Sequence, residues 1–248
     1  MDMPGFPVWI IVSTFLIAGL VKGATGMGLP TIAMGLLGAL MPPVAAATML
    51  VVPSFVTNAW QLASGPAAVG LVRRLWPMML GIVMGTVAGS ALLVRMDPLW
   101  TGLALGVALM GHAGYALASP SASVPRRSEP WLSPVVGLVT GAISGATGVF
   151  VMPAVPYLQS LRLDKDELVQ ALGLSFTVST VALATGLWGH GAFRPGQLGL
   201  SALAVVPALA GMWVGQRIRA RISQVVFRRC FLLLLFVLGS ELALRPLF

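Results

Sequence analysis

Ten apolar runs, each separated from the next by glycine, proline or charge, take up nearly all of this 248-residue chain. They fall at about 8–22, 27–41, 44–64, 76–94, 99–118, 131–145, 148–161, 167–189, 198–216 and 225–244. A helix that crosses a bilayer needs about 20 predominantly apolar residues, and six of the runs reach that length. Of all residues, 57% are hydrophobic and 9% charged, and mean hydropathy is +0.93. Soluble domains carry about 25% charged residues, so a water-soluble fold of this size could not cover its surface. Lipid is the solvent for most of the exterior, and the backbone must satisfy its own polar groups in helices. The expected fold class is an all-α polytopic membrane protein.

The short runs come in two pairs, 8–22/27–41 and 131–145/148–161, and each pair is joined through the same tetrapeptide, Gly-Ala-Thr-Gly. That coincidence belongs to a longer one. Gly19-Leu-Val-Lys22-Gly23-Ala24-Thr25-Gly26 matches Gly141-Ala-Ile-Ser144-Gly145-Ala146-Thr147-Gly148. Ser54-Phe55 matches Ser175-Phe176, and Gly85, Gly89 and Arg95 match Gly211, Gly215 and Arg221. The polar segment 119–130, with Arg126, Arg127, Glu129 and three prolines, divides the chain. The expected organisation is a first transmembrane repeat over 1–118, a linker over 119–130 and a second repeat over 131–248. Each repeat would hold one broken or re-entrant helix pair plus three spanning helices. Internal symmetry of this kind is a signature of secondary transporters.

The formal charge of +8 invites a nucleic-acid reading, but the basic residues sit singly or in pairs between apolar runs. The exceptions, Arg217, Arg219, Arg221, Arg228 and Arg229, flank one helix junction. This is the distribution of the positive-inside rule. It places the loops with Arg73/Arg74, Arg126/Arg127, Arg162/Lys165 and Arg217/Arg219/Arg221 in the cytoplasm. The loops at Pro42/Pro43, Arg95/Asp97 and Arg194 then lie outside, with both termini. An odd number of passes per half inverts one half relative to the other. No basic n-region followed by a small-residue cleavage site stands at the start, so the N-terminus reads as mature. Cys230 is alone and reads as a small buried apolar residue.

At the tetrapeptides the expectation is an anion site. Pro30 and Pro153 suit the first turn of a new helix, where the missing N–H costs nothing. A helix start presents free N–H groups and partial positive charge, and bare glycine lets a ligand approach. The candidate substrate-binding residues are Lys22, Gly23, Ala24, Thr25 and Gly26 in the first half, with Ser144, Gly145, Ala146, Thr147 and Gly148 in the second. Asn58, Ser175 and Ser179 are added from the next segments. Gln61, Thr177 and Thr180 could line the same cavity or bond neighbouring helices. The motifs at Gly85 and Gly211 read as helix packing. His112 and Glu241 are candidate proton carriers, and coupling to protons is one option.

The paired Gly-Ala-Thr-Gly motifs, with Ser175-Phe176, His190-Gly191 and the run Gly211, Gly215 and Ile218, resemble the sulfite exporter TauE/SafE family of membrane permeases over about residues 9–245. The resemblance implies a bacterial inner-membrane, multi-pass permease for sulfite, organosulfonates and related anions. One departure is that Lys22 has Ser144 as its repeat mate, so the cationic charge is not symmetric.

An enzyme is the weaker reading. His112 and His190 are the only histidines, and no Cys-x-x-Cys-His or His-x-x-x-His pattern offers haem or zinc ligands. No Gly-x-x-x-x-Gly-Lys-Ser/Thr loop serves ATP. No cofactor is called for. An anion channel is the other alternative to alternating access. The expected partners are a small anionic substrate and the lipid bilayer, without nucleic acid; oligomeric state is not encoded legibly.

Overall fold

A computed structural model describes residues 7–118, 123–193, 195–219 and 224–245. Arg194 and Arg221, which entered the loop-charge and repeat arguments, lie outside the described residues, as does 119–122 of the linker. The regular structure of the described residues is helical, with no strand, and Cys230, expected to be buried, is exposed on the last helix. The helices are α1 (Val8–Thr25), α2 (Leu29–Gly38), α3 (Pro43–Ala63), α4 (Ala68–Arg95), α5 (Pro98–Ala118), α6 (Glu129–Thr147), α7 (Ala154–Ser160), α8 (Lys165–Gly189), α9 (Pro195–Leu203), α10 (Val205–Arg219) and α11 (Gln224–Leu244).

Among the described residues, six stretches are long and apolar enough to cross a membrane: α1, α3, α4, α5, α8 and Gln197–Arg219. The last runs from α9 into α10. Ala204 N–H still bonds the Leu200 carbonyl, and Ala208 N–H bonds the Ala204 carbonyl. Pro207 has no N–H for the carbonyl four residues before it, which marks the α9–α10 joint. The chain is a multi-pass integral membrane protein.

Two expectations about the short pairs need correction. Run 8–22 is not short, because α1 passes through Lys22 and reaches Thr25, 18 residues in all. Lys22 is 2% exposed and hydrogen-bonded, so its charge does not end the helix. Likewise α6 is 19 residues long. Their partners are shorter than expected: α2 has 10 residues and α7 has seven. Each pair is therefore a full-length helix, a break and a short helix. α4 also begins earlier than its run, at Ala68, since Arg73 and Arg74 lie in its first turns at the membrane edge.

The closest packing joins α1 to α10 and α4 to α6. A Cβ on Gly85 would fall inside 3.0 Å of the Leu138 carbonyl oxygen, and one on Gly141 inside 3.0 Å of the Ile82 oxygen. Gly81, Gly89, Gly137 and Gly145 repeat the pattern along the same pair. On the other pair, Gly19 and Gly23 meet Ala208 and Met212, while Gly211 and Gly215 meet Leu16 and Leu20. Contact partners rise together along both pairs, so each pair is parallel. Small residues at i and i+4 let two backbones touch, the usual source of attraction between helices in lipid. The packing role expected for Gly85 and Gly211 is what the geometry gives.

α3 lies against α8 with opposite direction: Gly173 meets Gln61 and Leu62, and the Gln170 side chain reaches Leu62 and Gly65. α5 lies against α11 the same way, with Gly106 beside Gly239 and Ala243. The basic loops gather at one end. Arg74 on α4 pairs with Glu129 on α6 at 2.7 Å, and Arg162 bonds Ser123. Arg74, Arg126 and Arg162 thus share one end of the molecule.

Because a methyl group at Gly85 would separate two backbones, Gly85→Ala lowers the unfolding midpoint of the detergent-solubilised protein by overpacking worth about 1–3 kcal/mol. Gly111 on α5 meets nothing within 4 Å, so Gly111→Ala leaves the midpoint unchanged or raises it. Equal midpoints for wild type and both variants would show that α4 and α6 spread without cost.

Candidate functional site

The two tetrapeptides close helices rather than open them. Gly23, Ala24 and Thr25 form the last turn of α1, and Gly26 follows at φ +79° with its N–H bonded to the Lys22 carbonyl. Gly145, Ala146 and Thr147 end α6, and Gly148 follows at φ +71° with its N–H bonded to the Ser144 carbonyl. Both glycines hold the left-handed conformation that glycine adopts at a helix C-terminus. The end of the macrodipole at each tetrapeptide is thus the negative one. The positive ends belong to α2, which starts at Leu29 with Pro30 in its first turn, and to α7, which is only seven residues long.

The threonines serve the breaks. The Thr25 hydroxyl lies 2.9 Å from the Val21 carbonyl and 2.7 Å from that of Met27, and it accepts the Met27 N–H at 3.2 Å. The Thr147 hydroxyl donates to the Ile143 carbonyl at 2.6 Å and accepts the Val149 N–H at 3.2 Å. Ser144 donates to the Thr140 carbonyl at 2.6 Å. Gly23 and Ala24 face α10, whereas Gly145 and Ala146 face α4. Gly148 packs on Met34 of α2, five residues after Leu29, so about 8 Å of helix separates its level from the start of α2.

Lys22 stands apart. Its ammonium donates to Asn58 Oδ1 on α3 and sits 5.9 Å from the ring centroid of Phe176, near the middle of α8. Among the described residues no carboxylate lies within ion-pair distance of it. Asn58 Nδ2 is buried with no hydrogen-bond partner, and so are the hydroxyls of Ser54, Ser175 and Ser179. Ser54 and Asn58 are one turn apart on α3, and Ser175 and Ser179 one turn apart on α8. The antiparallel register set by Gly173 against Gln61 and Leu62 levels Asn58 with Phe176 and Thr177, and Ser54 with Thr180 and Val181, about one residue beyond Ser175 and Ser179. Three helices thus bring Lys22, Asn58 and Phe176 into contact, and Ser175 and Ser179 are buried on the same stretch of α8 as Phe176.

Gln61 fixes this arrangement. Its Nε2 donates to the Gly26 carbonyl and to the Val169 carbonyl, both at 2.9 Å, clamping the α1 break between α3 and α8. Gln170 does the same for the α3–α4 turn: Nε2 reaches the Leu62 and Gly65 carbonyls and Oε1 accepts the Ala67 N–H. Gln170 is absent from the sequence expectations, and Ser54 enters them only as the match of Ser175. Their signal was available, since each is a polar side chain one turn from another on an otherwise apolar face. Of the proton-carrier candidates, Glu241 is half exposed and paired with Arg245 at 2.6 Å, and His112 is buried on α5.

The family model described as Sulfite exporter TauE/SafE matches residues 11–242. The chain belongs to the sulfite exporter TauE/SafE family. No curated protein and no solved structure matches it. As a TauE/SafE member it falls in a family of membrane exporters of sulfite-like anions, a transporter family and not an enzyme family. Among the described residues no group of His, Cys, Asp and Glu could hold a metal ion.

Gln61→Leu strips two carbonyl acceptors of their donor, a loss of about 1–3 kcal/mol where such groups are buried. It lowers the unfolding midpoint and speeds amide hydrogen exchange over residues 26–31. Unchanged exchange there would remove Gln61 as the clamp of the break.

Proposed function

We propose that this TauE/SafE-family chain is a secondary transporter that carries small oxyanions, sulfite or organosulfonates, by alternating access. Lys22 is the residue that holds the anion's charge. The supporting observation is a buried ammonium whose oxygen partner is the neutral amide of Asn58. A buried charge without a counter-ion is costly, and an anion entering beside Asn58 supplies that counter-ion. The unpartnered Asn58 Nδ2 and the hydroxyls of Ser54, Ser175 and Ser179 match an oxyanion with several acceptor oxygens. The tetrapeptides contribute the break that lets α1 end and α2 turn back beside Lys22, with their glycines and threonines shaping backbone.

Alternating access is supported by the pairing of helices. Exchange the halves, α1 for α6, α3 for α8, α4 for α10 and α5 for α11. The α1–α10 contact becomes the α6–α4 contact, and the α3–α8 and α5–α11 contacts map onto themselves. The antiparallel course of those self-paired helices is what a two-fold axis in the membrane plane would give, as in inverted-repeat transporters.

The test is uptake of sulfite against concentration in proteoliposomes, with insertion measured separately. Lys22→Gln keeps a hydrogen-bond donor but not the charge, and raises the apparent KM at least about tenfold, the equivalent of about 1.4 kcal/mol. Lys22→Arg retains part of the affinity, since charge persists while donor geometry changes. Equal KM in wild type and both variants would take Lys22 out of the site.

A further inference from the structure

A cleft of about 790 Å³ opens between the first turns of α4 and α6, at the end of the molecule where the basic loops gather. Its polar wall holds Arg126, Glu129 and Arg74, and its opposite reach is apolar, formed by Trp76, Leu80 and Pro134. The charged residues precede the apolar ones along both helices, and the one further polar group, Ser133, is buried and bonded to Tyr157. The cleft therefore grades from charged at the helix ends to apolar further along them, toward the span.

The charges do not cancel. Arg74 donates through Nε and Nη2 to both oxygens of Glu129, at 2.9 and 2.7 Å, so that carboxylate is engaged twice. Arg74 also lies 3.4 Å from the Leu161 carbonyl, which pins the pair to the end of α7. Arg126 lines the same cleft, is exposed, and has no ion pair among the described residues. Arg127 beside it is exposed as well. The mouth thus carries net positive charge. Trp76 is 59% exposed and Leu80 52%, so the apolar half is uncovered by protein. Tryptophan is enriched at the level of lipid headgroups, and basic pockets between helices on the cytoplasmic side suit anionic headgroups.

The geometry points to this cleft as a binding site for one anionic phospholipid, its phosphate at Arg126 and its first acyl carbons along Trp76, Leu80 and Pro134. A soluble anion would leave the apolar half empty. A zwitterionic lipid brings its own cation and leaves the charge at Arg126 unanswered. The lipid would touch α4 of the first half and α6 of the second together. This site lies at the membrane edge, away from Lys22.

Native mass spectrometry of the detergent-purified full chain, titrated with phosphatidylglycerol or phosphatidylcholine, tests it. Wild type retains one phosphatidylglycerol at least about tenfold more tightly than phosphatidylcholine. Arg126→Gln, at an exposed residue that leaves the fold intact, removes that preference, and Trp76→Ala weakens it. Arg217, at the same end but stacked on Trp213 at 3.6 Å, is the control: Arg217→Gln keeps the preference. Inorganic phosphate at matched concentration leaves lipid retention unchanged. The proposal is overturned by equal retention of the two lipids, by Arg126→Gln binding phosphatidylglycerol as wild type does, or by competition from inorganic phosphate.

Discussion

Backbone-to-backbone contact at glycine sets where everything else in this protein can sit. Lipid gives two helices no hydrophobic reason to associate, so attraction has to come from close approach. The α1–α10 and α4–α6 pairs achieve it with glycines on both partners. Gly19 and Gly23 turn one face of α1 toward α10. At 100° per residue, Lys22 is then carried onto the flank, where α3 and α8 meet it with Asn58 and Phe176. The direction of the one buried lysine is thus a by-product of how its neighbours pack. A methyl group at Gly23 would move it.

The breaks follow a related logic. A helix that ends inside a membrane protein must leave few orphan carbonyls. At Gly26 the left-handed turn, the Thr25 hydroxyl and the Gln61 amide together satisfy the end of α1. At Gly148 the same turn and the Thr147 hydroxyl do so. The repeated tetrapeptide is a stop signal whose threonine and final glycine are local, and whose first glycine faces a neighbour. The neighbouring side chains at Lys22 and Ser144 are what differ, and they differ in charge. That puts cationic chemistry at one break and none at the other.

Much of the fold could be read from the sequence, since apolar run length and bilayer thickness act on each segment alone. The errors cluster where a charge or a motif was read without its surroundings. A lone lysine interrupts hydropathy, so the apolar run stops at Lys22; Asn58, 36 residues on, accepts its hydrogen bond and the helix continues. Arg73 and Arg74 delayed α4 on paper for the same reason, though Glu129 waits across the gap for Arg74. The tetrapeptides were placed correctly as break points, and Pro30 as the first turn of the next helix; the misreading was to give the tetrapeptide itself the positive end of a helix. The sign of the helix end depends on φ at Gly26 and Gly148, which residue identity leaves open. That Lys22, Asn58, Ser175 and Ser179 are polar and buried was legible, because polar side chains are expensive in lipid and are kept off its surface. Gln61 was visible as polar, but its task of tying Gly26 to Val169 needed the third dimension.

The glycine contacts also say which parts could travel together. α1 and α10 come from different halves of the chain, and so do α4 and α6. A rocking motion that kept each sequence half rigid would have to unzip both glycine seams at once. A motion that keeps the seams closed carries α1 with α10 as one block and α4 with α6 as another. The hinge lines would then fall at α3 and α8, whose amides reach across by flexible side chains. The mobile units of such a machine would be cut across the two halves of the chain, and Lys22 would ride at the edge of the first block, facing the crossing line.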